Sequence, residues 1–242
     1  MSQKTIIITG ASNGLGRAMA LRFGREGWAV AVNYNTSKAS ADEVVAGIIN
    51  SGGAAFAVKA DVRIYSEVEA MVSETLSRFG RIDALINNAG TGTGSLMLKL
   101  SVEAWDDVID TNLKGSFNTI KAVSRIMMKQ RSGHVINISS ILGLRGKTGQ
   151  AAYSSSKAGL IGLTKAAAVE LAPRGIQVNA ILPGYMLTEM GAAASEKARE
   201  EAVQDNLLKR YSEPSEVADF VYNLTNMKAV SGQVFNLDSR VI

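Results

Sequence analysis

Cysteine is absent from this chain, histidine occurs once and proline three times. Without a thiol there is no disulfide framework and no thiolate metal site. A single imidazole leaves little from which to build a metal centre, so a chemistry that needs no metal is expected. The scarcity of proline, with no serine-rich or charge-rich run, leaves no linker along the 242 residues. One domain is therefore expected, although a prior of about 150 residues per domain would also allow two. No apolar run reaches the ~18 residues of a membrane span. The opening MSQKTIIITG enters a short apolar stretch with no secretory pattern, and the expectation is a cytoplasmic protein with no membrane association. Basic residues exceed acidic ones only slightly, 26 to 22, for a net charge of +4. They are scattered rather than clustered, which disfavours nucleic acid as a partner and suits an anionic small molecule.

The chain does contain apolar residues in plenty, 46% against 20% charged, enough for a sizeable core. They fall in short runs at 5–9, 29–33, 55–59, 84–87, 135–138, 177–182 and 233–237, which read as buried strands. Helical patterns lie between or after them at 14–26, 39–51, 66–79, 102–130, 153–173 and 214–226. Alternation of this kind predicts an α/β fold, a doubly wound parallel sheet of about seven strands with helices on both faces. Ligands of such sheets bind beyond the carboxyl ends of the strands. The chemically suggestive residues all stand there.

After the first run comes TGASNGLG. Gly10, Gly14 and Gly16 permit a tight turn and close approach of backbone to a pyrophosphate, and the following helix N-terminus offers free N–H groups. Ser12, Asn13 and Leu15 complete this candidate loop. Its spacing, G-x-x-x-G-x-G, departs from the common G-x-G-x-x-G. About 20 residues beyond such a loop an acid usually holds the ribose of NAD. Here the second strand ends in Asn33, Tyr34, Asn35, Thr36, Ser37 and Lys38. No carboxylate stands there to repel a 2′-phosphate, and Arg17 adds charge nearby, so NADP(H) is favoured over NAD(H). The same hydroxyls and amides also suit a helix cap. Asp61 and Val62 follow the third strand, where Asp61 can meet an adenine or cap a helix. Asn88, Ala89 and Gly90 follow the fourth, as a backbone bed for a cofactor or as an Asx turn.

Tyr153 and Lys157 stand four apart on a predicted helix and share a face. A nearby ammonium favours the phenolate and lowers the phenol pKa from its usual value near 10. Tyr packed on a core with Lys reaching outward is the alternative. Ser139 and Ser140 end the fifth strand, and either brings a hydroxyl toward the pair. Asn112 interrupts a long helical stretch, where Asn is a poor helix former. His134 reads as structural.

Together TGASNGLG, Asp61, NNAG, Asn112, Ser140, the Tyr153-x-x-x-Lys157 pair and Pro183-Gly184 resemble the short-chain dehydrogenase/reductase family over essentially the whole chain. The resemblance implies a single Rossmann-type NAD(P)-binding catalytic domain spanning 1–242. Tyr153 would be its acid/base, Ser140 the hydroxyl orienting the substrate, and Lys157 the charge that holds the nicotinamide ribose. Asn112 would support a proton relay through Lys157. The interval of thirteen residues to the Tyr selects Ser140 over Ser139. Pro183, Gly184 and Thr188 would border the nicotinamide and phosphates. The implied reaction interconverts a ketone and a secondary alcohol.

Within the family the likeness is greatest to 3-oxoacyl-(acyl-carrier-protein) reductases, implying a substrate linked to carrier protein or CoA. Residues 187–210 would form the substrate lid, read as one mobile helix, the assembly would be a homotetramer, and Lys129, Arg131 and Arg174 would supply a rim for an acidic carrier. Two departures accompany the likeness. Asn13 stands where many relatives carry a basic residue, and VFNLDSRVI replaces their glycine-rich ending. An alcohol, polyol or sugar dehydrogenase, and a non-catalytic dinucleotide-binding regulator, are the competing readings.

Overall fold

The structure, a computed structural model, describes residues 3–192 and 196–240. Its strands are β1 (Thr5–Ile8), β2 (Ala29–Tyr34), β3 (Ala54–Lys59), β4 (Ala84–Asn87), β5 (Gly133–Ile138), β6 (Ile176–Pro183) and β7 (Val234–Leu237). They form one sheet in the order β3-β2-β1-β4-β5-β6-β7, every pairing parallel. The helices are α1 (Gly14–Arg25), α2 (Lys38–Asn50), α3 (Tyr65–Phe79), α4 (Val102–Ile109), α5 (Gly115–Gln130), α6 (Ala151–Leu171), α7 (Glu189–Ala192), α8 (Glu196–Gln204) and α9 (Pro214–Leu224).

Side chains of a strand point alternately to opposite faces. In β1, Ile6 and Ile8 join a core with Met19, Phe23, Val32 and Val221. Ile7 joins the other core, with Phe56, Met71, Leu85 and Val123. Because both faces are covered, β1 and β2 are buried at every position, which is why they read as continuous apolar runs. Helices α1, α2 and α9 pack together over one face, and α3, α5 and α6 over the other.

All seven expected strands are present, with ends shifted by a residue or two. Two helical stretches differ from expectation. The stretch 102–130 is not one helix: five residues, Asp110–Lys114, wind as a π turn between α4 and α5. Residues 187–210 hold two helices, α7 and α8, rather than one, and 193–195 of that expected lid lie outside the described residues. Among the described residues no helix is long and apolar enough to cross a membrane.

The chain winds outward from β1 to β3, then returns to place β4 on the other side of β1. Loops leaving β1 and β4 therefore diverge, and a crevice opens between them at the carboxyl ends. His134 sits at the opposite end of β5, where burial, with Lys4 assisting and Asp83 opposing, pushes its imidazole down to about 4. An unfolded histidine titrates near 6.5. Between about 6.5 and 4 the unfolded chain thus takes up a proton that the folded one refuses, and stability falls as pH falls. Urea midpoints at pH 7.5 and 5 should show a smaller acid loss for His134→Gln than for the parent.

Candidate active site

The crevice is built by stitching two loops together. The Thr9 hydroxyl accepts from the amides of Asn88 and Ala89, each at 3.0 Å. The Asn88 side chain donates to the carbonyls of Thr9 and Gly10, again at 3.0 Å. Gly10 and Gly14 hold φ of +59° and +53°, the left-handed region that side chains disfavour. At Gly16 the constraint is space: a Cβ there would stand 2.6 Å from the Asn88 amide nitrogen and closer still to the Gly10 carbonyl. The first turn of α1 therefore lies bare against the loop, with its N–H groups facing the crevice. Thr188 arrives across from Gly14, its Cβ 3.1 Å from where a Gly14 Cβ would be. Asn13 caps α1 in extended conformation without spending its side chain on the helix.

Of the other expected cofactor contacts, Gly10, Asn33, Asn35, Thr36, Asp61, Val62, Ala89 and Gly90 line one cleft of about 400 Å³. Ser12, Leu15, Tyr34 and Ser37 do not line it. Leu15 and Tyr34 belong to the core beneath α1, because the same period that points a backbone at the cleft points these side chains inward. Asn33 lines the cleft but is a brace: its Oδ1 accepts from Gly10 N at 3.2 Å, and its Nδ2 donates to the carbonyls of Ala60 and Val58 at 3.1 and 3.3 Å.

Asp61 is clamped by Arg63, whose Nη2 lies 2.6 Å from Oδ2 while Nε contacts both oxygens at 3.0 Å. That guanidinium, together with burial opposing it, leaves the carboxyl below its ordinary pKa. Asp61 is not the cap of α3, a position held by Ile64. Arg63, Thr91, Asp107 and Thr111 also line the cleft and were missed by sequence reading. The only signal for Arg63 was its place two residues past an acid at a strand end.

At the same pole the catalytic candidates converge. The Ser139 hydroxyl donates to the Lys157 carbonyl at 2.9 Å, pinning α6 to the end of β5. Ser140 instead hydrogen-bonds the Tyr153 phenol, so the structure separates the two serines by task. Lys157 is buried with its Nζ donating to the Ile138 carbonyl at 2.7 Å and lying 5.6 Å from the centre of the Tyr153 ring. Desolvation pushes its ammonium down to about 8.

Asn112, 0% exposed, accepts from Thr91 N at 2.8 Å and donates to Thr91 O and to the Ser156 hydroxyl, both at 2.9 Å. Ser156 in turn donates to the Tyr153 carbonyl at 2.7 Å. One amide thus joins the π turn, the loop after β4 and helix α6. The widened turn is what carries Asn112 to that junction.

One expectation is corrected here. Lys157 does not pull the Tyr153 phenol down; burial pushes it up, and only the Ser140 hydrogen bond offsets that. The physical reason is orientation, because the ammonium is turned to a backbone carbonyl and is itself destabilised by desolvation. The cations expected as a basic rim are placed by α5 and β6. Arg131 caps the far end of α5, and Arg174 precedes β6, where Gly175 presses on the Arg131 carbonyl. These cations, with Lys129, stand at the pole opposite this chain's own Tyr153.

A family model described as short chain dehydrogenase matches residues 4–199. The 3-oxoacyl-(acyl-carrier-protein) reductase FabG of Staphylococcus epidermidis is 45% identical over 237 residues, covering 97% of each chain. The 3-oxoacyl-(acyl-carrier-protein) reductase of a Synechocystis strain is 44% identical over 246 residues, covering 100% of this chain and 98% of its own. Among solved structures, levodione reductase superposes with a TM-score of 0.93 at 34% identity, over 99% of this chain and 97% of its own. An actinorhodin polyketide ketoreductase variant solved with NADPH gives 0.93 and 34%, over 99% and 98%.

The Gly16 contact yields a direct check. Gly16→Ala should weaken NADPH binding, followed by nucleotide fluorescence, by about tenfold or more, the scale of one lost charge-assisted hydrogen bond. The catalytic pole should remain folded, as judged by an unchanged far-ultraviolet dichroism spectrum.

Proposed function

The chain belongs to the short-chain dehydrogenase/reductase family, and from that premise we propose that it is an NADP(H)-dependent reductase of 3-oxoacyl thioesters. At the coarser level it is an oxidoreductase acting on a CH–OH/C=O group, from a family that binds NAD(P). The observation that carries the reading is Gly90, which lines the cleft and lies against the Lys157 side of the site. A Cβ there would lie 3.2 Å from the Asn112 Oδ1 and 3.7 Å from the Lys157 Nζ.

The residues present fit the cofactor. Gly10, Gly14 and Gly16 leave backbone where a pyrophosphate needs it, with Ser12, Asn13, Leu15 and Thr188 beside them. Asn35, Thr36 and Ser37 offer donors, and the nearest carboxylate, Asp61, is already neutralised by Arg63. A 2′-phosphate therefore meets donors and no unpaired acid, which supports NADP(H). Asp61 and Val62 flank the adenine end, and Asn88, Ala89, Gly90, Pro183 and Gly184 the nicotinamide end.

When bound, the nicotinamide supplies or accepts hydride at the substrate carbon. Tyr153 gives the oxygen its proton. Burial keeps the phenol protonated at neutral pH, which suits the reductive direction. Ser140 holds the same oxygen by hydrogen bonding. Lys157, with its lowered pKa, can return a proton to Tyr153. Asn112 acts by holding the Thr91 loop and α6 in register.

Exposed Leu144 beyond Ser140, and Leu187, Leu207 and Leu208 of the segment 187–210, give the substrate side an apolar mouth suited to an acyl chain. We take that segment as the lid of a single catalytic domain acting in the cytoplasm. Exposed Val102, Phe117 and Val169 on α4, α5 and α6 suit the paired interfaces of a homotetramer. A second reading, an alcohol, polyol or sugar dehydrogenase of the same family, draws on the equal superposition with levodione reductase.

Cofactor oxidation with acetoacetyl-CoA should be fast with NADPH and slow with NADH, and should fall about 10²- to 10⁴-fold in Tyr153→Phe. A preference for NADH would overturn the reading of residues 33–38. The Lys157 ammonium is present below about 8 and lost above it. The kcat/KM for reduction should therefore be level from pH 6 to about 7, fall to about half near pH 8 and decline beyond, and a profile level to pH 10 would count against the assigned role.

A further inference from the structure

The last described residues, Asp238, Ser239 and Arg240, are folded into the catalytic pole. Leu237 pairs with Pro183 in the last rungs of the sheet, so the residues that follow lie beside the cofactor loop. The Asp238 side chain is 0% exposed and that of Arg240 11%. Arg240 Nε reaches Asp238 Oδ2 at 2.7 Å, its Nη2 bonds the same oxygen, and its amide donates to Oδ1 at 3.0 Å. A buried pair in this geometry is rigid, because separating it strands a charge.

Two functional segments lean on the pair. Gly184 is one: a Cβ there would stand 3.6 Å from the Asp238 Cα and against the Ser212 hydroxyl. The other is the exit of α8. Ser239 donates to the buried Asn206 Oδ1, the Leu208 amide donates to that oxygen at 2.9 Å and to the Ser239 hydroxyl at 3.3 Å, and Lys209 takes a φ of +52°. The far side of α8 is held differently. Lys147–Glu201 at 3.3 Å and Arg145–Asp205 at 3.7 Å join it to the loop between Ser140 and Tyr153. Those pairs are exposed, hence weak and screened by salt.

We propose that Ser239, braced by the Asp238–Arg240 pair, is a positioning residue that fixes one end of the α8 segment. The exposed Lys147 and Arg145 pairs tie the same end of α8 to the loop after Ser140 more weakly. The idea rests on reading residues 187–210 as the substrate lid. It assigns the chain's ending a part in substrate binding through another element, with no contact to the reacting atoms.

Limited trypsin digestion reads the anchor without any substrate, because Lys197, Lys209 and Arg210 are exposed in the segment. Ser239→Ala should be cut there about fivefold faster than the parent, the scale of one lost hydrogen bond, and Ser239→Thr should restore the parental rate. With acetoacetyl-CoA, Ser239→Ala should raise KM severalfold with kcat within about twofold, and Asn206→Ala should add nothing further in the double variant. Parental cleavage rates in Ser239→Ala would overturn the proposal. So would a lowered thermal midpoint with cleavage and KM unchanged, since that is the mark of a merely structural contact. If acetoacetyl-CoA is not turned over, the digestion still decides the anchor, and it is the substrate reading that fails.

Discussion

The catalytic pole depends on one constraint, the need of buried backbone and amide groups for hydrogen-bond partners where β1 and β4 end. Parallel strands that part in opposite directions leave two loops with unpaired groups side by side. Thr9 and Asn88 satisfy them across the gap, and in doing so set the floor of the crevice. Gly16 can then press α1 against that floor only because it lacks a side chain. An unsatisfied buried amide costs about 1–3 kcal/mol, so the stitching determines both the stability and the shape of the site.

The same economy governs the proton-handling groups. Lys157 is buried and Tyr153 partly so, and desolvation moves each toward its neutral form. A neutral phenol next to a lysine that titrates near neutrality is a store from which one proton can be given and replaced. Asn112 makes that arrangement possible from a distance, by breaking a helix where a straight one would carry it past the Thr91 loop. The local break costs helical regularity and is offset by the three partners that its amide finds.

Positions in the sequence that demand an unusual backbone or a particular chemistry were readable in advance. The glycines after β1, the Tyr153–Lys157 spacing, Asn112 in a helical run and the seven strands all announce themselves locally, through φ preference, helical period or continuous burial. Roles that depend on orientation were not. Asn33 lines the cleft but spends its side chain on bracing Gly10, Tyr34 turns into the core, and Lys129, Arg131 and Arg174 lie at the far pole of their own sheet. Arg63 went unnoticed because nothing local distinguishes an arginine that will clamp an acid from one that will face solvent.

What this sequence determined by itself is therefore the order of strands and helices, the parallel sheet, and the family to which the chemistry belongs. Those follow from periodicity and from residue types whose backbone or protonation properties are intrinsic. Only the tertiary structure decided which direction the phenol pKa moves and where residues 238–240 rest. These depend on distance and desolvation between segments far apart along the chain, such as Ser239 and Asn206, and neither quantity exists until the sheet has brought them together.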